Sequence, residues 1–304
     1  MEKKNALLLV FSAALISGFS IFMNKFAVKG IDSSIFTFAK NSLVAVFMLA
    51  IILGAYQFKE LKKLHRKDWL NLVLIGLIGG SIPFLLFFKG LQMASGATSS
   101  LIHKTMFVFV IVFAMLFLKE KLNKKVVGAA ILLLAGNYLM LKPAWNFGAG
   151  DLLILTATVF WAAENTLSKY VLRNVSGNIV AFGRMFFGAL FILMFLMVTG
   201  KIGGLTKLNL GQINWIMITS AMLLLYVVTW YNGLKHVDVS LATSILLLGA
   251  PVTTLLGYFA GNSIGVSEAA GMLLLTAGVV VFMNSTPYFN IGELRKSWTK
   301  KTKV

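Results

Sequence analysis

Residues 97–122, ATSSLIHKTMFVFVIVFAMLFLKEKL, contain an apolar run long enough to cross a bilayer, yet His103 and Lys104 stand side by side six to seven residues in. A hydrocarbon core about 30 Å thick takes about 20 helical residues, and an ionised side chain inside it costs roughly 2.5 to 3.5 kcal/mol on insertion scales. A membrane helix that keeps such a charge must solvate it, pair it or lead it back to the interface.

The rest of the chain has the same texture. Of 304 residues 58% are apolar and 12% charged, against about 25% charged in a soluble domain. Ten runs are long and apolar enough to be spans: 5–28, 34–55, 70–91, 97–118, 126–141, 150–172, 178–200, 213–235, 239–260 and 266–284. The expected fold is an all-α integral membrane protein of ten transmembrane helices. The first run is too long for a signal peptide and lacks a small-residue cleavage site, so it reads as a mature helix. Without Cys there is no disulfide and no thiolate metal site, and neither a metal nor a cofactor is expected. The net charge of +18 sits in short loops and tails, where it acts as an orientation signal, and nucleic acid is not an expected partner.

With both termini in the cytoplasm, eighteen Lys and Arg outside the spans fall on the cytoplasmic side. Only Lys29, Lys142, Lys201 and Lys207 fall on the other. This is the orientation of a multi-pass protein of a prokaryotic plasma (inner) membrane. The remaining basic residues, Lys25, Lys40, Lys89, Lys104, Lys169 and Arg184, are ordered by a repeat. A shift of 144 sets Lys25 on Lys169 and Lys40 on Arg184; a shift of 143 sets Gly90 on Gly233 and Gly128 on Gly271. Residues 1–143 and 144–286 are thus two five-helix repeats, followed by a basic tail, 287–304. Five is odd, so the halves are inverted. Inverted repeats are a frequent construction of secondary transporters, with the substrate near the midplane and rocking of the halves giving alternating access.

Three segments carry a family likeness: LKEKL at 118–122, GAAILLLAG at 128–136 and LLLGAPVTTLLGYFAG at 246–261. With the paired five-helix halves, they make the chain resemble the EamA family of the drug/metabolite transporter superfamily. The resemblance covers nearly the whole chain. It implies an exporter or exchanger of small metabolites, with a central cavity lined by spans 1–4 and 6–9 and with spans 5 and 10 peripheral. The pattern is broken where Glu120 falls on Ser263 and Pro251 on Val108. The resemblance leaves the substrate open.

At 1.5 Å per residue, Lys40, His103 and Lys104 lie roughly 9–10 Å below the outer membrane face, and Arg184 and Glu164 a similar depth from the inner one. Ser99 with His103 and Ser100 with Lys104 are i,i+4 neighbours forming one polar stripe. Thr37, Lys40 and Asn41 form a second, and Glu164 with Ser168, flanked by Trp161 and Asn165, a third. Such stripes face a bundle interior or water. Glu164 and Arg184 read as a buried pair, and Glu164 as a proton-coupling group. Their counterparts are Ser20 and Lys40, so the acid is missing in the first half, and an uncompensated positive pocket attracts a carboxylate or phosphate. The substrate-contacting candidates are Lys40, Asn41, Ser99, Ser100, His103, Lys104, Trp161, Asn165 and Trp230. Lys40 and Lys104 also admit the plainer reading of snorkelling toward the interface, which suits Lys25, Lys89 and Lys169 better still. His103 reads equally as a neutral interior residue, and the acid–base pair as structural. Pro83 and Pro251 break helices at mid-membrane, and the GxxxG spacings Gly76–Gly80 and Gly257–Gly261 mark close helix packing.

An enzyme is disfavoured, because His65, His103 and His236 are far apart in sequence and no Asp lies deep in a span. A channel would line a path with charge, whereas these polar residues cluster. The sequence therefore reads as a secondary active transporter of a small metabolite with an anionic group, such as an amino acid or organic acid. Its partners are that metabolite, the bilayer and protons, and it acts as a monomer or homodimer. A sugar-phosphate or nucleotide-sugar carrier has a Lys at the Lys104 position but also basic residues in span 9, where Ile245 to Leu248 stand here. A proton-coupled exporter of cationic drugs would use Glu164, the deep carboxylate.

Overall fold

The computed structural model describes residues 1–28, 30–55, 58–94, 96–121, 123–141 and 147–285. Lys29, Lys142, the junction at 143 and 144, the side chain of Lys25 and the basic tail 287–304 lie outside them. The chain is 84% helical, with no strands among the described residues. Span 1 is Lys3–Ala27, span 2 Ser33–Gly54, span 3 Arg66–Leu91, span 4 Thr98–Leu118 and span 5 Lys124–Leu141. Span 6 is Ala149–Val171, span 7 Gly177–Val198, span 8 Leu210–Leu234, span 9 Val239–Phe259 and span 10 Val266–Asn284. Among the described residues, nine of these meet the length and apolarity needed to cross a membrane. The tenth, span 6, has the length at 23 residues but carries Asp151, Glu164 and Lys169. Because the number of spans is even, Lys3 and Asn284 lie on one face, here the terminal face.

The packing repeats itself when the halves are exchanged. Span 1 packs on span 8 as span 6 packs on span 3, span 2 on span 8 as span 7 on span 3, and span 1 on span 9 as span 6 on span 4. The pairs 2 with 7 and 5 with 10 map onto themselves, and spans 5 and 10 pack chiefly on one another. Individual atoms follow the same register. A Cβ on Gly90 would meet the Gly150 carbonyl at 2.7 Å and Ile154 Cγ1 at 2.6 Å. One on Gly233 would meet the Ala6 carbonyl at 3.1 Å and Val10 Cγ2 at 2.8 Å. Gly80 likewise packs against span 7, where its Cβ would lie 2.9 Å from Gly188 Cα. The Gly257–Gly261 spacing, in contrast, joins no helices: Gly257 faces Asn262, and Gly261 turns the chain at φ +95.

Three spans are interrupted at mid-membrane. Span 3 breaks at Ser81, two residues before Pro83, and span 9 at Leu247 and Leu248, before Pro251. Span 4 breaks at Thr105, which no proline follows. There the Thr105 hydroxyl donates to the Ile102 carbonyl at 2.6 Å. In the 143-residue register Thr105 falls on Leu248, so both halves break at one place.

The halves differ in burial. In the first helix of span 9, Val239–Leu246, the seven residues Val239 to Ile245 are buried. Among the described side chains of the equivalent helix of span 4 only Ser99 is buried, and Thr98 and Ser100 to Lys104 are half-buried. The bundle is therefore sealed at the terminal face and looser toward the other.

Candidate functional site

The centre of the bundle is organised by the break in span 3. Pro83 has no N–H to offer the carbonyl of Gly79, and a bare carbonyl in a dry interior costs several kcal/mol. Gly79 instead accepts from Trp161 Nε1 at 3.1 Å and Arg184 Nη2 at 3.2 Å. The Gly80 carbonyl accepts from Asn41 Nδ2 at 3.0 Å. Three of the sequence-derived candidates, Asn41, Trp161 and Arg184, thus direct donors to backbone in this conformation.

Glu164 lies against the same break with 0% exposure. Its Oε1 accepts from Ser168 Oγ at 2.6 Å and Tyr231 Oη at 2.7 Å, and its Oε2 is 3.9 Å from Arg184 Nη2. Equal depth on consecutive spans predicts this pair, and in the structure the two residues meet loosely, at 3.9 Å. Glu164 Oε2 and Arg184 Nε are buried without a hydrogen-bond partner among the described residues. Room for the acid comes from Gly79, where a Cβ would overlap Glu164 Cγ. Tyr231, absent from the sequence-derived candidates, is a direct hydrogen-bond donor to the acid.

The first half repeats this arrangement with other side chains. Ser20, Asn24 and Lys40 occupy the register positions of Glu164, Ser168 and Arg184. Asn24 Nδ2 donates to Ser20 Oγ at 3.4 Å, and Lys40 Nζ to Asn24 Oδ1 at 3.1 Å. Lys40 is 7% exposed, with its ammonium 4.8 Å above the Phe36 ring. Among the described residues the ion pairs are Arg184–Glu164 and Lys201–Asp32; neither Lys40 nor Lys104 has a carboxylate partner. On the span 4 stripe Ser99 is buried, and Ser100, His103 and Lys104 are half-buried. The His103 ring lies 4.9 Å from Trp161 and 5.3 Å from Phe87, with Nδ1 buried and unpartnered. Phe84 and Phe87 pack on Trp161 at 5.2 and 5.4 Å. Asn165 Nδ2 donates to the Trp161 carbonyl at 2.8 Å. Trp230 is fully buried and stacks on Tyr226 at 6.2 Å. These contacts join Asn41, His103, Trp161, Glu164, Asn165 and Arg184 around the span 3 break, and Lys40 stands with Asn24 and Ser20.

Two charged residues act at the terminal face. Lys169, expected to snorkel, instead donates to the carbonyls of Leu234 at 2.8 Å, Lys235 at 3.2 Å and Val237 at 2.7 Å, closing the end of span 8. Glu120, of the LKEKL segment, accepts from the backbone N–H of Val239 at 2.9 Å and Ser240 at 3.3 Å, at the start of span 9. Burial raises its carboxyl above the ordinary value, with help from the charge of Asp238, while the bonds from Ser240 and Val239 oppose the rise. On the opposite face Asp32 caps span 2 through Ser34 and Ile35 and pairs with Lys201 at 2.7 Å. Burial works against ionised Asp32, but the Lys201 and backbone bonds outweigh it and its carboxyl is lowered. Among the described residues no three His, Asp or Glu are grouped to hold a metal ion.

The model of the EamA-like transporter family matches residues 4–142 and again 148–284. "Uncharacterized transporter YyaM" of Bacillus subtilis is 23% identical over 289 residues, covering 92% of this chain and 94% of that one. "Riboflavin transporter ImpX" of Fusobacterium nucleatum is 23% identical over 257 residues, covering 78% and 84%. A solved crystal structure at 18% identity superposes with a TM-score of 0.78 over 95% of this chain and 100% of its own, which establishes the likeness of fold.

Proposed function

The chain belongs to the EamA-like transporter family, and from there we propose that it is a secondary active transporter of a small metabolite with an anionic group, such as an amino acid or organic acid. It works as an exporter or exchanger by alternating access, residues 1–143 and 144–286 rocking about a central site in a prokaryotic plasma membrane, with both termini cytoplasmic. The observation that carries the anionic preference is Lys40, 7% exposed, whose ammonium meets a neutral Asn24 where the second half sets Glu164 beside Arg184. Lys104, half-buried and without a partner among the described residues, extends the positive potential along span 4. A carboxylate reaching either ammonium gains a charge-assisted hydrogen bond of about 1.5–3 kcal/mol. Glu164 is the group we assign to proton coupling, since it is the carboxylate of the bundle centre.

A second reading rests on the rings of Phe84, Phe87, His103 and Trp161, which offer faces and edges to a planar solute. The similarity to a riboflavin transporter favours including such solutes. Both readings are tested by thermal-shift titration of the purified protein with amino acids, organic acids, phosphates, lipophilic cations and riboflavin, because a ligand that binds the folded state raises its apparent stability. Carboxylates are expected to stabilise the parent and to lose that effect in Lys40→Met. Stabilisation by lipophilic cations alone refutes the anionic preference.

A further inference from the structure

Glu120 and Lys169 take no part in the site above, and they grip one short turn from two directions. Lys169, on span 6, holds three carbonyls at the end of span 8. Glu120, between spans 4 and 5, holds the two N–H groups that open span 9. The turn from Lys235 to Asp238 is fixed at both ends by residues of other spans. We propose that Glu120 and Lys169 form a clasp that keeps the terminal face closed in the resting protein and makes the two faces of the transport cycle unequal.

The grounds are local chemistry and the repeat. The first N–H groups of a helix have no partner within it, and an acidic side chain there is favoured by both hydrogen bonding and the helix dipole. The end of span 8 has the converse need, which an ammonium meets. In the inverted half the position of Glu120 is held by Ser263, whose exposed side chain is shorter and uncharged. The helix that Glu120 caps is the one whose residues 239–245 are buried, and its counterpart in span 4 is half-buried. The tighter end is the end with the carboxylate. Around Glu120 stand Asp238 in the turn and Lys169, with Arg173, His236 and Lys235 beyond them. Glu120 and Lys169 are positioning residues: they meet no substrate, and they act on the equilibrium through span 9.

The inference rests on the alternating access proposed above, and reporters on both faces separate the two. The chain has no Cys, so single cysteines can be read by the rate of labelling with a water-soluble maleimide in detergent. Ser244→Cys, at a position 0% exposed in span 9, reports the terminal face, and Ser100→Cys, half-buried in span 4, the other. The parent is expected to label slowly at 244 and faster at 100. Glu120→Ala removes the cap, an effect worth about 2- to 30-fold in the equilibrium, and should speed labelling at 244 by that factor and slow it at 100. Glu120→Gln, which keeps one acceptor oxygen, should restore most of the parent behaviour. If Glu120→Ala does not fold, Lys169→Met is expected to act in the same direction. Unchanged labelling at 244 in a variant that melts like the parent overturns the clasp, as does fast labelling at 244 in the parent. Opening at 244 without any change at 100 supports the clasp and refutes alternating access.

Discussion

Removing Arg184 should destabilise the protein more than removing Arg184 and Glu164 together. In Arg184→Met a carboxyl group with 0% exposure loses the cation 3.9 Å from its Oε2. Stranding one member of a buried pair costs about 3–5 kcal/mol. The hydrogen bonds from Ser168 and Tyr231, at 2.6 and 2.7 Å, survive, so the low end, about 3 kcal/mol, applies. The Gly79 carbonyl loses one of its two donors but keeps Trp161, so little is added there. Glu164→Gln keeps an acceptor for Ser168 and Tyr231 and strands the guanidinium instead, at about 2 kcal/mol given its remaining bond to Gly79. In the double variant neither charge is present, and the loss should be about 1–2 kcal/mol, well short of the sum of the singles. At about 2 °C per kcal/mol for a chain of this size, thermal melting of the four proteins in one detergent should rank parent, double variant, Glu164→Gln and Arg184→Met from highest to lowest. Additive losses would mean that the two residues are neighbours without being partners, and a loss under about 1 kcal/mol for Arg184→Met would mean that water reaches Glu164.

Gly79→Ala should cost about 1–3 kcal/mol, because its Cβ overlaps Glu164 Cγ; Gly128→Ala, with nothing within 4 Å, should be neutral or stabilising, and melting midpoints compare the two. Lys104→Met keeps an apolar stem of similar length and should melt like the parent while binding the metabolite about 10- to 150-fold more weakly; unchanged affinity in equilibrium binding would assign Lys104 to snorkelling. The lowered carboxyl of Asp32 contributes stability above the ordinary carboxylate range that disappears as pH falls through its lowered value, so Asp32→Asn should flatten the acid limb of a stability profile. The raised carboxyl of Glu120 has the opposite sign: its contribution is full below the ordinary carboxylate range and is lost as pH rises through the raised value, a loss that Glu120→Gln should abolish.

Much of the fold was legible because lipid leaves a chain few choices. Span length, apolarity and the 143- to 144-residue register located the helices, and Pro83 and Pro251 located two of the breaks. The break at Thr105 has no proline and shows only in the repeat, through its alignment with Leu248. Glu164 and Arg184 were found by depth alone, since consecutive spans bring equal depths into reach. What depth cannot supply is the identity of backbone acceptors. That Trp161, Arg184 and Asn41 serve the carbonyls of Gly79 and Gly80 follows only once Pro83 is counted back four residues, a signal present in the sequence and unused. Lys169 and Glu120 were read as an interfacial charge and a family motif, because helix ends from distant segments meet only in the folded chain.

The overlap between position 79 and Glu164 ties one copy of the repeat to the other. By the repeat register Gly79, in the first copy, corresponds to Met222 in the second, and Glu164, in the second copy, to Ser20 in the first: glycine and acid meet where spans 3 and 6 cross, and the equivalent positions of spans 8 and 1 hold a long apolar side chain and a small hydroxyl. A methionine at 79 and a glutamate at 164 would claim the same space. A glutamate at 164 in the second copy therefore requires a residue without a Cβ at 79 in the first. The two positions form one unit across the copies, and a long side chain at 79 should be tolerated only when the acid at 164 is shortened with it.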